Sequence, residues 1–352
     1  MKKQIMFMAM TAMLIASCSS DDVVSTNTGR AIDFRTSVGT RGTETTTTNI
    51  DKFWVTAIDG AGANYFSQQE FTKDGEFFTS SPLYYWPAGE LKFFAYSPSA
   101  TDLGGALTIS NTTKELKDFS PATEIAEQKD FVTATTSGTR AANETKGVKL
   151  TFAHQLSQIE IKAKNTNTGY IYTVVGVRIG KPVSKGTFTF DTNKWTLTTT
   201  EKTNYAVEYT TPPRILGAEA ATMMGTANNN AMLLPQQLVA WASATDKTNN
   251  ANGAYIALKI QITTKDGARV YPAKAKGDYD WAAVAINTNW EAGKKYVYTL
   301  DFSNGAGKVD PEKPKPVDPT DPFNPGEDIL GKPIKFTVIV TPWVPADQPV
   351  KM

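Results

Sequence analysis

The chain has 352 residues, a formal net charge of +1, one cysteine and one histidine. So balanced a charge offers no electrostatic basis for binding nucleic acid or an acidic membrane surface, and a single cysteine makes no internal disulfide. Threonine, glycine and aromatic residues are plentiful and long helical periodicities are missing, which is the composition of β-sheet domains large enough to bury cores without metals or cross-links.

In chain order, Lys2 and Lys3 precede an apolar run from Ile5 to Ala16 that is too short to span a bilayer comfortably. Small residues then lead into Cys18, so residues 1–17 read as a secretory signal peptide. The ending Leu14-Ile15-Ala16-Ser17-Cys18 resembles the bacterial lipobox, which implies cleavage before Cys18 and lipidation of Cys18. Each buried lipid CH₂ is worth about 0.8 kcal/mol, so several acyl chains would hold the protein firmly to a membrane. Ser19-Ser20-Asp21-Asp22 resembles the serine-plus-acidic surface-export signal of Bacteroidetes lipoproteins, and residues 18–30 read as a lipidated tether.

Ile32, Phe34, Thr36 and Val38 alternate on one face and predict a strand. Gly39 to Asn49 is polar and threonine-rich, an exposed loop that contains Arg41. Phe53 to Ile58 predicts the next strand, and Lys73-Asp74-Gly75 a turn between Phe71 and Phe77-Phe78. The most aromatic stretch holds Tyr85, Trp86, Phe93 and Tyr96 around a turn at Pro87 and Gly89. Its strand-period spacing favours core packing over a glycan-stacking platform. Thr101 to Asn143 reads mostly as loop. Val148, Leu150 and Phe152 share a face, and a shift of phase near Gln155 precedes Ile159, Ile161 and Ala163.

A polar break at Asn165 to Gly169 divides an N-terminal domain, residues 31–165, from a C-terminal one, residues 166–304. Strands are predicted at Tyr170 to Ile179, at Ile256 to Ile262, and at Tyr296 to Phe302, with a hairpin around Asp191-Thr192-Asn193. Prolines 311, 314, 316, 319, 322 and 325 then mark residues 305–331 as a stiff linker, with a reach of about 3.1 Å per residue. Residues 332–352 carry one more strand, Ile334 to Val340, which needs a partner sheet because an isolated edge is unstable in water.

Catalytic patterns do not emerge. His154 shares the phase of Phe152 and reads as a hydrogen-bonded, semi-buried side chain. One histidine and one cysteine cannot supply an ordinary zinc site, and no nucleophile elbow, Walker loop or Rossmann glycine pattern occurs. The reading is of a non-enzyme without cofactor or metal.

The lipobox, Tyr84-Tyr85-Trp86-Pro87 with the strand after it, Val148 to Asn165, Trp290 to Phe302 and Phe336 to Trp343 together resemble, in their order and spacing, the fimbrillin family of Bacteroidales, the Mfa-like and FimA-like pilins. The resemblance implies two transthyretin-like β-sandwich domains in tandem. It implies export as a surface lipoprotein of the outer membrane, trimming by an arginine-specific protease, and assembly of fimbriae by exchange of strands between subunits, in support of adhesion to a host or bacterial ligand. On this sequence the cut falls after Arg41, with Arg30 as the other candidate. The departing strand lies within residues 31–41 and carries Ile32, Phe34 and Val38; the donated strand carries Ile334, Phe336, Val338 and Val340. Partners are then other pilin subunits, the protease and the membrane, with no nucleic acid. The alternative is a non-polymerising surface lipoprotein that binds glycans through exposed aromatics.

Overall fold

A computed structural model describes residues 29–38, 50–209, 212–225, 230–242, 253–273, 277–313 and 322–343. Its strands run as β1 (Phe34–Val38), β2 (Lys52–Asp59), β3 (Asn64–Asp74), β4 (Phe77–Ser80), β5 (Leu91–Ser97), β6 (Ala106–Ile109), β7 (Lys114–Phe119), β8 (Val132–Gly138) and β9 (Val148–His154) in the first half. They continue as β10 (Ser157–Lys164), β11 (Tyr170–Gly180), β12 (Gly186–Thr189), β13 (Lys194–Leu197), β14 (Tyr205–Glu208), β15 (Arg214–Ile215), β16 (Ala221–Met224), β17 (Ala231–Leu233) and β18 (Gln236–Gln237). The last are β19 (Tyr255–Thr264), β20 (Arg269–Tyr271), β21 (Asp280–Ala285), β22 (Asn289–Trp290), β23 (Lys294–Asp301), β24 (Lys308–Val309) and β25 (Lys335–Pro342). The all-β expectation holds.

In the first half seven strands close into a barrel in the order β1-β4-β3-β2-β5-β8-β9, with β1 parallel to β9 and the other pairs antiparallel. Alternation decides what fills it. Val148, Leu150 and Phe152 of β9 point inward with Phe53, Val55 and Phe93, and the core is dominated by phenylalanine. The opposite face of β5 sends Phe94 and Tyr96 outward, into a separate apolar seam with Phe119, Phe131, Phe188 and Phe190.

The second half stacks two sheets over a shared core. One runs β16-β10-β23-β25, with β17 also on β10; the other runs β14-β11-β19-β21-β24, with β15 and β20 at its margins. The core between them is aliphatic and tyrosine-rich, including Ile159, Ile161, Tyr172, Ile256, Ile260, Tyr296, Tyr298 and Leu300. A four-stranded sheet, β13-β12-β7-β6, takes two strands from each half and covers the seam.

Three expectations need correction. Residues 101–143 are not mostly loop: β6 and β7 form a hairpin and β8 is a barrel stave. The signal was weak because β7 (Lys-Glu-Leu-Lys-Asp-Phe) and β8 (Val-Thr-Ala-Thr-Thr-Ser-Gly) carry few large apolar residues. The change from one half to the other comes earlier than Asn165, at the phase shift near Gln155, because β10 already pairs with β17 and β23. Nor is the proline-rich segment a free linker along its described length. Ala306, Val309 and Ile329 are buried in the second core, β24 extends the sheet beside β21, and residues 307–309 hydrogen-bond to residues 326–329.

Candidate functional site

Both terminal strands are in place on the molecule, and their surroundings differ. β1 lies inside the barrel wall. It pairs with β9 from Phe34↔Val148 to Val38↔Phe152, and with β4 at Phe34↔Phe78. Just before it, Ile32 donates its N–H to Tyr84 O at 2.7 Å, and Val148 donates to Asp33 O at 2.9 Å. The Phe34 ring is fully buried and meets Phe71, Phe93 and Phe53 edge-on at centroid distances of 4.7, 5.1 and 5.9 Å. Phe77 lies under two guanidinium groups, those of Arg30 and Arg35, at 4.7 and 4.5 Å. Arg30 Nε donates to Asp33 Oδ2 at 3.1 Å; burial nonetheless raises the Asp33 carboxyl above its usual range, with the neighbouring arginines opposing it. Without residues 31–38 the barrel would be open between β4 and β9, along a groove lined by phenylalanine.

β25 is an edge strand. It pairs antiparallel with β23 over eight positions, from Asp301↔Lys335 to Lys294↔Pro342, and has no partner on its other side among the described residues. Phe336 and Val338 are half-buried over Tyr298 and its neighbours, whereas Ile339 and Val340 are 58% and 51% exposed. The strand is pinned at its ends. Ile334 is buried before it, and Trp343 is fully buried after it, in the seam between the halves. There the Trp343 indole stacks on the His154 imidazole, with centroids 4.3 Å apart and planes 16° from parallel. His154 Nδ1 is 2.8 Å from Asp130 Oδ2; the approach is close but not aligned as a hydrogen bond.

The segment that follows β24 is braced by charge. Arg178 Nη2 meets Asp310 Oδ1 at 2.5 Å in a largely buried pair, and its guanidinium lies 4.4 Å above the Trp281 ring. Burial raises the Asp310 carboxyl despite that partner. Burial pushes Glu312 upward too, but hydrogen bonds from Tyr255 and Asn204 outweigh it, with Arg178 and Lys181 helping, and hold that carboxyl below its usual range. Lys313 Nζ closes the brace on Asp280 Oδ2 at 2.8 Å.

The remaining sequence-based sites fall as follows. Cys18 and Arg41 lie outside the described residues. Trp86, Phe93 and Tyr96 are buried core and Tyr85 is half-buried, so the aromatic cluster presents no open platform. His154 is more deeply buried than its alternation suggested. Among the described residues no group of three His, Cys, Asp or Glu side chains is placed to hold a metal ion. Sequence reasoning missed the Trp343–His154 stack and the Arg178–Asp310 brace. Both join residues more than a hundred positions apart, and the only local hint was an apolar ring closing a strand.

A family model described as fimbrillin-like matches residues 40–314. Fimbrium subunit Fim1C of Phocaeicola vulgatus is 24% identical over 368 aligned positions, covering 88% of this chain and 94% of the relative. A crystal structure of a Parabacteroides distasonis protein, assigned provisionally to cell adhesion, superposes with a TM-score of 0.54 at 9% identity, over 91% of this chain and 99% of that one. At that identity the likeness concerns the fold alone.

Proposed function

The chain belongs to the fimbrillin-like family, and from that premise we propose that it is a structural subunit of a cell-surface fimbria, polymerised by strand exchange. The observation that carries this reading is the contrast between the two terminal strands. β1 plugs a barrel whose phenylalanine-lined interior would otherwise lie open, while β25, an edge strand of eight residues, is long enough to refill that gap in another copy. Burying a large aliphatic or phenylalanine side chain contributes about 1.5–3 kcal/mol, so four such side chains on a donated strand would give a long-lived joint before entropic costs.

The position of β1 also favours one cleavage site over the other. A cut after Arg30 would leave Ile32 and Phe34 seated, and Arg30 is itself held by Asp33 and Phe77. Only a cut beyond Val38 frees the strand, which favours Arg41. Export as a lipoprotein acylated on Cys18 places the subunit at the outer membrane before assembly, with other fimbrial subunits as its partners. The burial of Trp86, Phe93 and Tyr96 speaks against the glycan-binding alternative.

The test is to treat purified protein with an arginine-specific protease and compare boiled with unboiled samples on a denaturing gel. The wild type should give a heat-sensitive ladder, and both Arg41→Ala and a truncation before Lys332 should remain monomeric. A cut wild-type protein that stays monomeric would sink the proposal. In cells, Cys18→Ala should abolish incorporation of labelled palmitate.

A further inference from the structure

β9 connects the two terminal strands. Its residues Val148 to Phe152 pair with β1 along its whole length, and its last residue, His154, is the surface on which Trp343 stacks. On its other side β9 pairs with β8 only at Thr133↔Ala153 and Val132↔His154. Without β1, the ladder along Val148, Lys149, Leu150 and Phe152 would be lost, leaving β9 its core packing and the two ladder pairs at Ala153 and His154.

The hold on β25 is concentrated at the same place. Along the strand the side chains are half-buried or exposed, and past Ile334 at its root the one fully buried side chain is Trp343. Trp343 N–H donates to Gly293 O at 3.1 Å, and its ring lies in the seam against His154. Among the described residues the indole Nε1 has no acceptor, so the seat holds the ring by stacking and apolar contact. A buried donor left unpaired weakens such a hold. This is a seat from which a strand end can be withdrawn once the wall behind it shifts.

We propose that Trp343, seated on His154, is a latch that keeps the C-terminal strand on its own subunit, and that β9 couples this latch to β1, so that loss of the N-terminal strand loosens the donor strand as well as opening the groove. The proposal rests on the strand-exchange reading above. Its consequence is that an intact subunit neither accepts nor donates, and one cut enables both. The coupling has a two-state physical basis: β9 is either laddered to β1 or free of it, and in the second case only the two pairs to β8 fix the position of His154. Local opening of an edge strand is the quantity that changes.

Hydrogen exchange read by mass spectrometry on peptides covering residues 335–343 tests the idea on the full-length protein. In the intact wild type these peptides should be protected. After arginine-specific cleavage and removal of the β1 fragment, verified by intact mass, their exchange should rise by about tenfold or more, together with that of residues 148–152. In uncut His154→Ala the 335–343 peptides alone should open, and His154→Phe, which keeps a flat ring under the indole, should restore protection. Trp343→Ala should match His154→Ala. If uncut His154→Ala leaves residues 335–343 as protected as in the wild type, there is no latch. If removal of β1 opens 148–152 but leaves 335–343 protected, the latch is uncoupled from β1 and the proposal fails, whether or not the cut protein polymerises. If residues 335–343 open as expected and no polymer forms, the latch stands and the strand-exchange reading is the part that falls.

Discussion

β1 and β25 are both short strands of alternating sequence at the ends of the folded body, yet they are held in opposite ways. β1 has a neighbour on each side and points Phe34 into a packed phenylalanine core. β25 has one neighbour, rests half-exposed on a tyrosine-bearing sheet, and is secured at its two ends. Hydrophobic sequence alone does not make a strand permanent: one laddered on one side, touched on the other and with its ring enclosed is harder to remove than one with a single paired edge. On the strand-exchange proposal, the first kind would serve as the plug and the second as the arm.

The largest expected effect comes from weakening the plug. Phe34→Ala removes a fully buried ring from three edge-on partners and should cost about 3–5 kcal/mol, read as a lower melting temperature for the first half. The same variant should begin to assemble without protease, which size-exclusion chromatography would detect.

The next prediction separates the two strands by pH. Burial lifts the Tyr298 phenol under β25 to about 12, and burial likewise lifts Tyr172 in the same core to about 12. An unfolded tyrosine titrates near 10, so below that pH both forms keep the proton and stability is unaffected. As pH rises from about 10 towards 12 the unfolded chain ionises first, and the second half should lose roughly 2–3 kcal/mol per such tyrosine. The rings that surround Phe34 are phenylalanines, which do not titrate. Covalent labelling at about pH 9 and about pH 11.5 should show β25 and its sheet opening first. Simultaneous loss of β1 would break the comparison.

Smaller changes sharpen it. Val338→Ala, at a half-buried site, should cost about 1 kcal/mol in the free subunit and make the C-terminal strand more sensitive to protease. Ile339→Ser, on the exposed face one residue further on, should change stability by less than about 0.5 kcal/mol. Equal effects at 338 and 339 would mean that β25 does not turn one face to the core and the other to solvent.

Much of this architecture was legible because strand period and burial agree. Val148, Leu150 and Phe152 showed their inward face, and the phase shift near Gln155 was visible although the division was placed later, at Asn165. The aromatic run around Trp86 read as core for the same reason. What escaped were pairings set by distant residues. The proline spacing of residues 305–331 suggested a stiff linker, and nothing in it announced that Val309 and Ile329 would find room in a core built from β19, β21 and β23, or that Arg178 would wait for Asp310. The pairing of β7 with β12 was equally invisible: the β12–β13 hairpin was read around residues 191–193, but β7 carries few large apolar residues to announce its place beside it.

The packing of residues 305–313 against 322–331 has a mechanical consequence. In a filament joined by β25, the free stretch between a fixed point and the donated strand runs only from Leu330 to Ile334, because Ile329 is buried and bonded to Gly307. At no more than about 3.5 Å per residue that is on the order of 17 Å, so consecutive subunits would almost touch. Tension on such a fibre would enter each subunit at Ile329, cross the hydrogen bonds between residues 307–309 and 326–329 and the sheet beside β21, and reach the Arg178–Asp310 pair. On the strand-exchange proposal, pull on such a fibre would therefore load this fold of the proline-rich segment before it loads the rest of the second core.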